Sequence, residues 1–105
     1  MVVSAAEAKL ANEIKVLDVR KTSDVLDYLV ICGGESQPQI RAIEHEIDRV
    51  LREKDIKGFK WEGVIGSGWV VLDLGSVVVH VMDNKSREHY RLEELWGKEA
   101  VVYHY

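Results

Sequence analysis

The sequence predicts an α/β fold in which helices pack on a mixed five-stranded sheet. Three observations lead to this prediction: short β-rich segments flank one long segment of helical period, two β-rich segments are joined by a two-residue turn, and the order is helix, two strands, helix, two or three strands, helix. The chain has 105 residues, which suits one domain. We therefore expect a single domain over residues 1–105, with residues 1–12 forming an N-terminal helix or arm.

The first half of the chain predicts a helix followed by two strands. Residues 4–12 are expected to form a short helix that Ser4 caps. Residues 15–20 alternate in polarity, and residues 27–32 are rich in β-branched and aromatic side chains. Both segments are therefore predicted strands, the second of them central in the sheet. Residues 21–24 are polar and predict the turn between them.

The clearest helix begins after Gly34. Ser36 and Gln39 have the spacing of a capping box, and Pro38 falls in the first turn, where no hydrogen bond needs its missing N–H. Apolar residues then recur with the period of a helix, which predicts a stripe that faces the sheet: Ile40, Ile43, Ile47, Val50 and Leu51.

A β-hairpin is predicted around Gly75-Ser76, because glycine at the first turn position accepts the positive φ of a type II′ turn. This turn pairs Val71 with His80 and Trp69 with Met82. One hairpin face is then wholly apolar and predicted core: Val70, Leu72, Leu74, Val77, Val79 and Val81. The other face mixes apolar side chains with a carboxylate and an imidazole: Trp69, Val71, Asp73, Val78, His80 and Met82.

Shorter segments complete the predicted fold. Residues 59–64 favour a short strand, and residues 66–68 favour a turn. Residues 84–96 are predicted to be helical from their composition, with Trp96 in the core. Residues 100–105 are compatible with one further strand.

Charge and composition limit the possible functions. Fourteen Lys and Arg against 18 Asp and Glu give a formal charge of −4. Proteins that wrap nucleic acid are usually basic, so we predict no sequence-specific nucleic-acid binding and regard a basic protein partner as compatible. No apolar run approaches the roughly 18 residues of a membrane-spanning helix, and residues 1–12 do not resemble a targeting signal. The single cysteine, Cys32, forms no internal disulfide, which favours the cytoplasm.

Nucleotide chemistry is the enzymatic alternative. Gly34 and Ser36 lie where a strand meets a helix, where an anion can bind. However, a nucleotidyl-transfer site needs paired carboxylates to hold Mg²⁺, and Asp73 stands alone on its strand. The histidine spacing and the single cysteine do not complete a zinc site, and Cys32 is expected to be buried and inert rather than paired with His80. We therefore predict no enzyme, no catalytic residue, no cofactor and no metal.

The mixed hairpin face is the predicted binding surface. Tryptophan is enriched among the residues that dominate interface energies, and Asp73 and His80 would specify the partner. The residues expected to contact a partner are Trp61, Glu62, Trp69, Val71, Asp73, Gly75, His80 and Met82. The structural alternative is an ion pair between Asp73 and His80 beneath a helix, with the tryptophans as ordinary core.

Several spaced blocks resemble, in order, the ribosomal silencing factor (Iojap-related) family. They extend from about residue 15 to residue 96, which is most of the chain. The matching blocks are Ser23-Asp24, Asp27-Tyr28-Leu29-Val30-Ile31, Gly34-x-Ser36-x-x-Gln39, Ala42-Ile43, Glu62-Gly63, Gly68-Trp69-Val70-Val71-Leu72-Asp73-x-Gly75, Val77-Val78-Val79-His80-Val81 and Arg87-x-x-Tyr90-x-Leu92-Glu93-x-Leu95-Trp96.

The resemblance implies a nucleotidyltransferase-like fold that lacks the catalytic carboxylates. It implies a translation repressor that binds the large ribosomal subunit, chiefly through its ribosomal protein number fourteen, and sterically blocks joining of the small subunit under nutrient limitation. Two alternatives stay open beside it. These are an assembly factor of the large subunit, or a residual nucleotide-binding or nucleotidyltransferase-like enzyme that uses Gly34, Ser36 and Asp73. A homodimer of the free protein, with the Trp-bearing face as its interface, is a third possibility.

Overall fold

The fold is described by a computed structural model that covers residues 1–63, 68–95 and 101–105. Helices and strands alternate along these ranges in an α/β order. The elements are α1 (Val2–Ala8), β1 (Asn12–Asp18), β2 (Tyr28–Gly34), α2 (Gln37–Glu53), β3 (Lys60–Glu62), β4 (Trp69–Asp73), β5 (Val77–Asp83), α3 (Asn84–Tyr90), α4 (Leu92–Leu95) and β6 (Val101–His104).

The strands form one mixed sheet in the order β3-β4-β5-β2-β1-β6. The β2–β5 pair is parallel, and the other neighbours are antiparallel. The mixed α/β class and the interior position of β2 are as predicted. The expected number of five strands is wrong, because β6 pairs along the free side of β1, with Val16 opposite Tyr103.

The helix α2 covers one face of the sheet. Its predicted stripe is confirmed: Ile40, Ile43, Ile47 and Leu51 are buried, and Val50 packs against them. The predicted apolar face of the hairpin meets this stripe, with Leu72, Val79 and Val81 fully buried. Burial of these side chains is the main source of stability for this half of the domain.

The start of α2 is fixed by two side chains. Ser36 Oγ accepts a hydrogen bond from the Gln39 backbone N–H at 3.3 Å, as the capping box predicts. The Gln39 side chain reaches back one residue further than expected and accepts from the Glu35 N–H at 2.7 Å. Its amide group also donates to the Leu10 carbonyl at 2.9 Å, which ties the end of the α1 segment to α2.

The N-terminal helix begins earlier than predicted. It starts at Val2 with Met1 in the capping position, and no side chain caps it. The prediction that Ser4 caps this helix is therefore wrong. Val2 and Val3 pack against the α2 core, so tertiary contacts extend the helix toward the N-terminus beyond the local capping signal.

The predicted hairpin register is confirmed. Trp69 lies opposite Met82, and Val71 lies opposite His80. Gly75 has φ +91°, and the Leu74 N–H donates to the Val77 carbonyl at 2.9 Å, so a two-residue turn joins β4 to β5. The register places the mixed face of the hairpin on the side of the sheet away from α2.

The second face of the sheet has a smaller core. Its buried side chains are Leu17, Val19, Leu29, Ile31 and Met82, and Leu92 of α4 packs on them. The predicted helix over residues 84–96 is interrupted, because Arg91 adopts a left-handed conformation with φ 44° between α3 and α4. Three predicted features fall outside the described residues. They are Trp96, residues 66–67 of the predicted turn and residue 64 of the predicted strand.

Candidate functional site

The hairpin face is the side of β4 and β5 that carries Trp69, Val71, Asp73, Val78 and His80. Strand alternation puts these five side chains on one surface, and the antiparallel register sets their neighbours. The edge strand β3 adds Glu62, which lies opposite Val71 and is exposed. Asp73 is exposed, and the other four side chains of the face are half-buried.

Trp69 and His80 form the centre of this face. The Trp69 indole Nε1–H donates to His80 Nδ1 at 3.0 Å, and the two ring centroids are 5.8 Å apart. Since Nδ1 accepts a hydrogen bond, the proton of the neutral imidazole is on Nε2. Burial lowers the pKa of His80 to about 4, so the ring is neutral at physiological pH. His80 therefore presents an N–H donor and no charge.

Helix α3 extends the surface with Tyr90. The Tyr90 ring packs on Trp69 with centroids 4.7 Å apart, and His89 meets the edge of Tyr90 at 4.8 Å. Tyr90 keeps 50% of its surface exposed. We call Trp69, His80, His89 and Tyr90 the aromatic patch. Sequence reasoning did not assign His89 or Tyr90 to the surface, although Tyr90 belongs to one of the family-like blocks.

Asp73 stabilises the tip of the hairpin. Its carboxylate accepts a hydrogen bond from the Gly75 backbone N–H at 2.8 Å. His80 bonds to Trp69 instead, so the ion pair between Asp73 and His80 that the structural alternative requires does not form. The Asp73 carboxylate stays exposed and is available to a partner.

Two predicted contact residues lie elsewhere. Trp61 pairs with Leu72 on the α2 side of the sheet, and its indole donates to Asp48 at 3.1 Å. Trp61 thus projects from the opposite side of the sheet to Trp69, and the two residues, with Glu62, line one small pocket at the sheet edge. Met82 is 0% exposed, so it supports Trp69 from below and is not itself a contact. Glu62, Val71, Asp73, Gly75 and His80 remain together with Trp69.

The residues of the nucleotide alternative are not brought together. Gly34 is level with Asp83 at one end of β5, whereas Asp73 is level with Val78 near the other end. Five residues of strand separate these levels by about 17 Å. Gly34 has a packing role, because a Cβ there would lie 2.9 Å from Cγ1 of buried Ile40.

Cys32 and His80 do not form a dyad. Cys32 is fully buried in the α2 core, on the opposite side of the sheet from His80. Burial raises the pKa of its thiol to about 12, which suppresses the reactive thiolate. Across the described ranges, no three His, Cys, Asp or Glu side chains converge as around a metal ion. No described helix has the length and apolar character to cross a membrane.

Comparison with known proteins shows the family to which this chain belongs. The family model "Ribosomal silencing factor during starvation" matches residues 1–104. The chain belongs to the ribosomal silencing factor family. It is 44% identical to the ribosomal silencing factor RsfS of Bacillus subtilis over 94 residues, which cover 90% of this chain and 80% of that protein. It is 38% identical to RsfS of Halalkalibacterium halodurans over 102 residues, covering 97% and 87%.

A solved structure supports the same assignment. A crystal structure of a protein from Chromobacterium violaceum superposes with a TM-score of 0.87 at 31% identity, covering 92% of this chain and 81% of that one. This chain therefore shares its overall fold, which here contains a six-stranded mixed sheet, with that protein. Translation regulation in association with the ribosome is the function that the family indicates.

Proposed function

We propose that this chain binds the large ribosomal subunit with its hairpin face and sterically blocks joining of the small subunit. The contact on the ribosome is its ribosomal protein number fourteen, as the family resemblance implies. Binding alone represses translation, without catalysis, and serves the cell when nutrients are limited.

The observation that carries this proposal is the aromatic patch beside two exposed carboxylates. Trp69 and Tyr90 offer half-exposed rings of the type that anchors protein interfaces. Glu62 and Asp73 border the rings, and Lys60, opposite Asp73, pairs with Glu62 at 3.4 Å, so this border carries a net negative charge that suits the basic surface of a ribosomal protein. The polar border and apolar centre together have the anatomy of a protein-binding surface.

The rings are also held in place before any partner arrives. Trp69 is fixed by its bond to His80 and by the Tyr90 ring, so little side-chain freedom remains to be lost on binding. The hairpin tip is fixed as well, because the Ser76 carbonyl accepts from the Asp27 N–H at 2.7 Å. Such preorganisation favours tight binding from a small surface.

A sucrose-gradient co-sedimentation experiment with purified large subunits tests the docking surface. We expect the wild-type protein to migrate with the large subunit, and Trp69→Ala to weaken binding by at least about tenfold, because an interface anchor is removed. Asp73→Asn keeps the acceptor for Gly75 and removes the charge, so it should weaken binding less than Trp69→Ala does. The difference in binding between Asp73→Asn and the wild type should shrink as the salt concentration rises.

The matched control is Trp61→Phe. It removes the hydrogen bond to Asp48 on the α2 side and leaves the hairpin face unchanged. We expect it to bind like the wild type. Equal loss of binding in the two tryptophan variants would contradict the assigned surface, and wild-type protein that stays at the top of the gradient would contradict the function. Sedimentation equilibrium of the free protein then shows whether the same face also joins two copies.

A further inference from the structure

We infer that Arg87 is the positioning residue of the docking surface: it fixes α3 on the sheet so that Tyr90 rests on Trp69. This inference rests on the proposed function, because it concerns the same surface. It explains what holds α3, and with it the Tyr90 ring of the aromatic patch, against the hairpin.

Arg87 is a buried charge with an unusual set of partners. It is 7% exposed and is the one charged residue that is buried among those the structure describes. Its Nη1 donates to the Asn12 carbonyl at 3.2 Å, and its Nη2 donates to the Glu13 carbonyl. A buried guanidinium is costly unless its donors are satisfied, so these two bonds hold the side chain firmly in one place.

The partner carbonyls lie in an irregular part of β1. The register shifts between Asn12 and Lys15, and Glu13 has φ 42°, so the regular ladder is interrupted there. Two successive carbonyls accept from two different nitrogens of one planar guanidinium, whereas a lysine offers only one nitrogen and a different donor geometry. Arg87 thus joins α3 to a strand about 75 residues earlier in the chain.

Gly33 makes room for this contact. It lies opposite Asn12, and a Cβ at Gly33 would lie 2.1 Å from Asn12 Oδ1 and 3.3 Å from Arg87 Nη1. Gly33, which directly precedes the Gly34 of the predicted anion site, therefore serves the approach of α3 to the sheet.

The same helix carries the exposed ring. Residues three apart on a helix project to the same side, so the anchoring of Arg87 determines where Tyr90 lies. The start of α3 is also fixed, since Asp83 accepts from the Ser86 N–H at 2.7 Å. With the first turn capped and Arg87 bound to β1, Tyr90 is brought to 4.7 Å from Trp69 between ring centroids. Arg87 itself is largely buried and acts on this surface through the position of α3.

The test is a double-mutant cycle between Arg87→Lys and Tyr90→Ala, read by co-sedimentation with large subunits. We expect Arg87→Lys to weaken binding about as much as Tyr90→Ala, by roughly tenfold. In the Tyr90→Ala background, Arg87→Lys should cause no further loss, because its effect passes through the ring. Arg91→Lys is the matched control: Arg91 is exposed directly after α3 and pairs with Glu94 at 3.7 Å, so binding should stay at the wild-type level.

The free protein offers a second readout. We expect the indole N–H resonance of Trp69 to shift in Arg87→Lys, because the Tyr90 ring moves, while that of Trp61 on the other face stays in place. Arg87→Gln, which keeps one planar donor group, is measured in the same way if Arg87→Lys does not fold. An unchanged Trp69 resonance, or equal losses of binding with and without Tyr90, would overturn the inference. Failure of the wild type to bind large subunits would refute the proposed function and leave the Trp69 resonance as the test of positioning.

Discussion

The hairpin face is organised at the scale of single residues around His80. A histidine on a sheet surface suggests a charge, but burial beside Trp69 keeps this one neutral. The neutral ring accepts from the indole at Nδ1, and a protonated ring has no acceptor to offer. Local chemistry thus makes His80 part of an apolar anchor, whereas Asp73 and Glu62 supply the charge of the surface.

The first prediction concerns the pH dependence of stability. The pKa of His80 is about 4 in the folded protein and about 6.5 when unfolded, so only the unfolded chain takes up this proton between those values. The free energy of unfolding should therefore fall as the pH drops from 7 to 4.5. We expect a contribution of about 1 to 2 kcal/mol, reduced from the full linkage value because the ring keeps some exposure.

Urea unfolding of the wild type and His80→Asn at both pH values measures this contribution. Asparagine retains an acceptor near the indole and does not titrate, so its loss of stability on acidification should be smaller. His45→Asn, at an exposed position on α2, should retain the wild-type loss. Equal losses in wild type and His80→Asn would show that His80 is not held neutral.

A second prediction concerns Gly34, where sequence suggested an anion site. Gly34→Ala places a Cβ 2.9 Å from Cγ1 of Ile40, which is buried and cannot move away. We expect the free energy of unfolding to fall by about 1 to 2 kcal/mol from overpacking. In an Ile40→Ala background, which removes Cγ1, the same substitution should cost less. A penalty that is unchanged in that background would argue against the packing explanation.

At the scale of elements, local signals were sufficient for most features whose residues are neighbours in sequence, and the Ser4 cap of α1 is the exception. The α2 cap, the α2 stripe and the hairpin register were all predictable, because each depends on residues within a few positions of one another. The anchoring of α3 was not, since Arg87 meets carbonyls about 75 residues away. The pairing of β6 with β1 and the placement of Trp61 and Trp69 on opposite sides of the sheet likewise depend on tertiary contacts, although residues 100–105 are compatible with a strand from their sequence.

The capping of α2 gives a prediction at this scale. Ser36→Ala removes the acceptor for the Gln39 N–H and should lower the free energy of unfolding by about 1 kcal/mol, whereas Ser36→Asp should largely preserve it. Ser4→Ala is the contrasting variant. Ser4 lies within α1 and caps nothing, so its replacement should be neutral or slightly stabilising in the same thermal or urea unfolding measurement.

At the scale of the whole molecule, the account is one of steric regulation. The two faces of the sheet differ: α2 and the larger core cover one face, and the other has a smaller core beside the hairpin face to which the proposed function assigns the partner. The formal charge of −4 suits a basic ribosomal surface. Because specific interfaces exclude most solvent and pack closely, a bound body 24 to 34 Å across would keep two subunit surfaces from meeting at that place.

Subunit joining is the most direct test of this account. Purified large and small subunits are mixed with the wild-type protein, with Trp69→Ala, or with Trp61→Phe, and the fraction of joined particles is measured on a gradient. We predict that the wild type and Trp61→Phe lower this fraction and that Trp69→Ala, confirmed to be folded, does not. If Trp69→Ala blocks joining as well as the wild type does, or if the wild type has no effect, the central claim is contradicted.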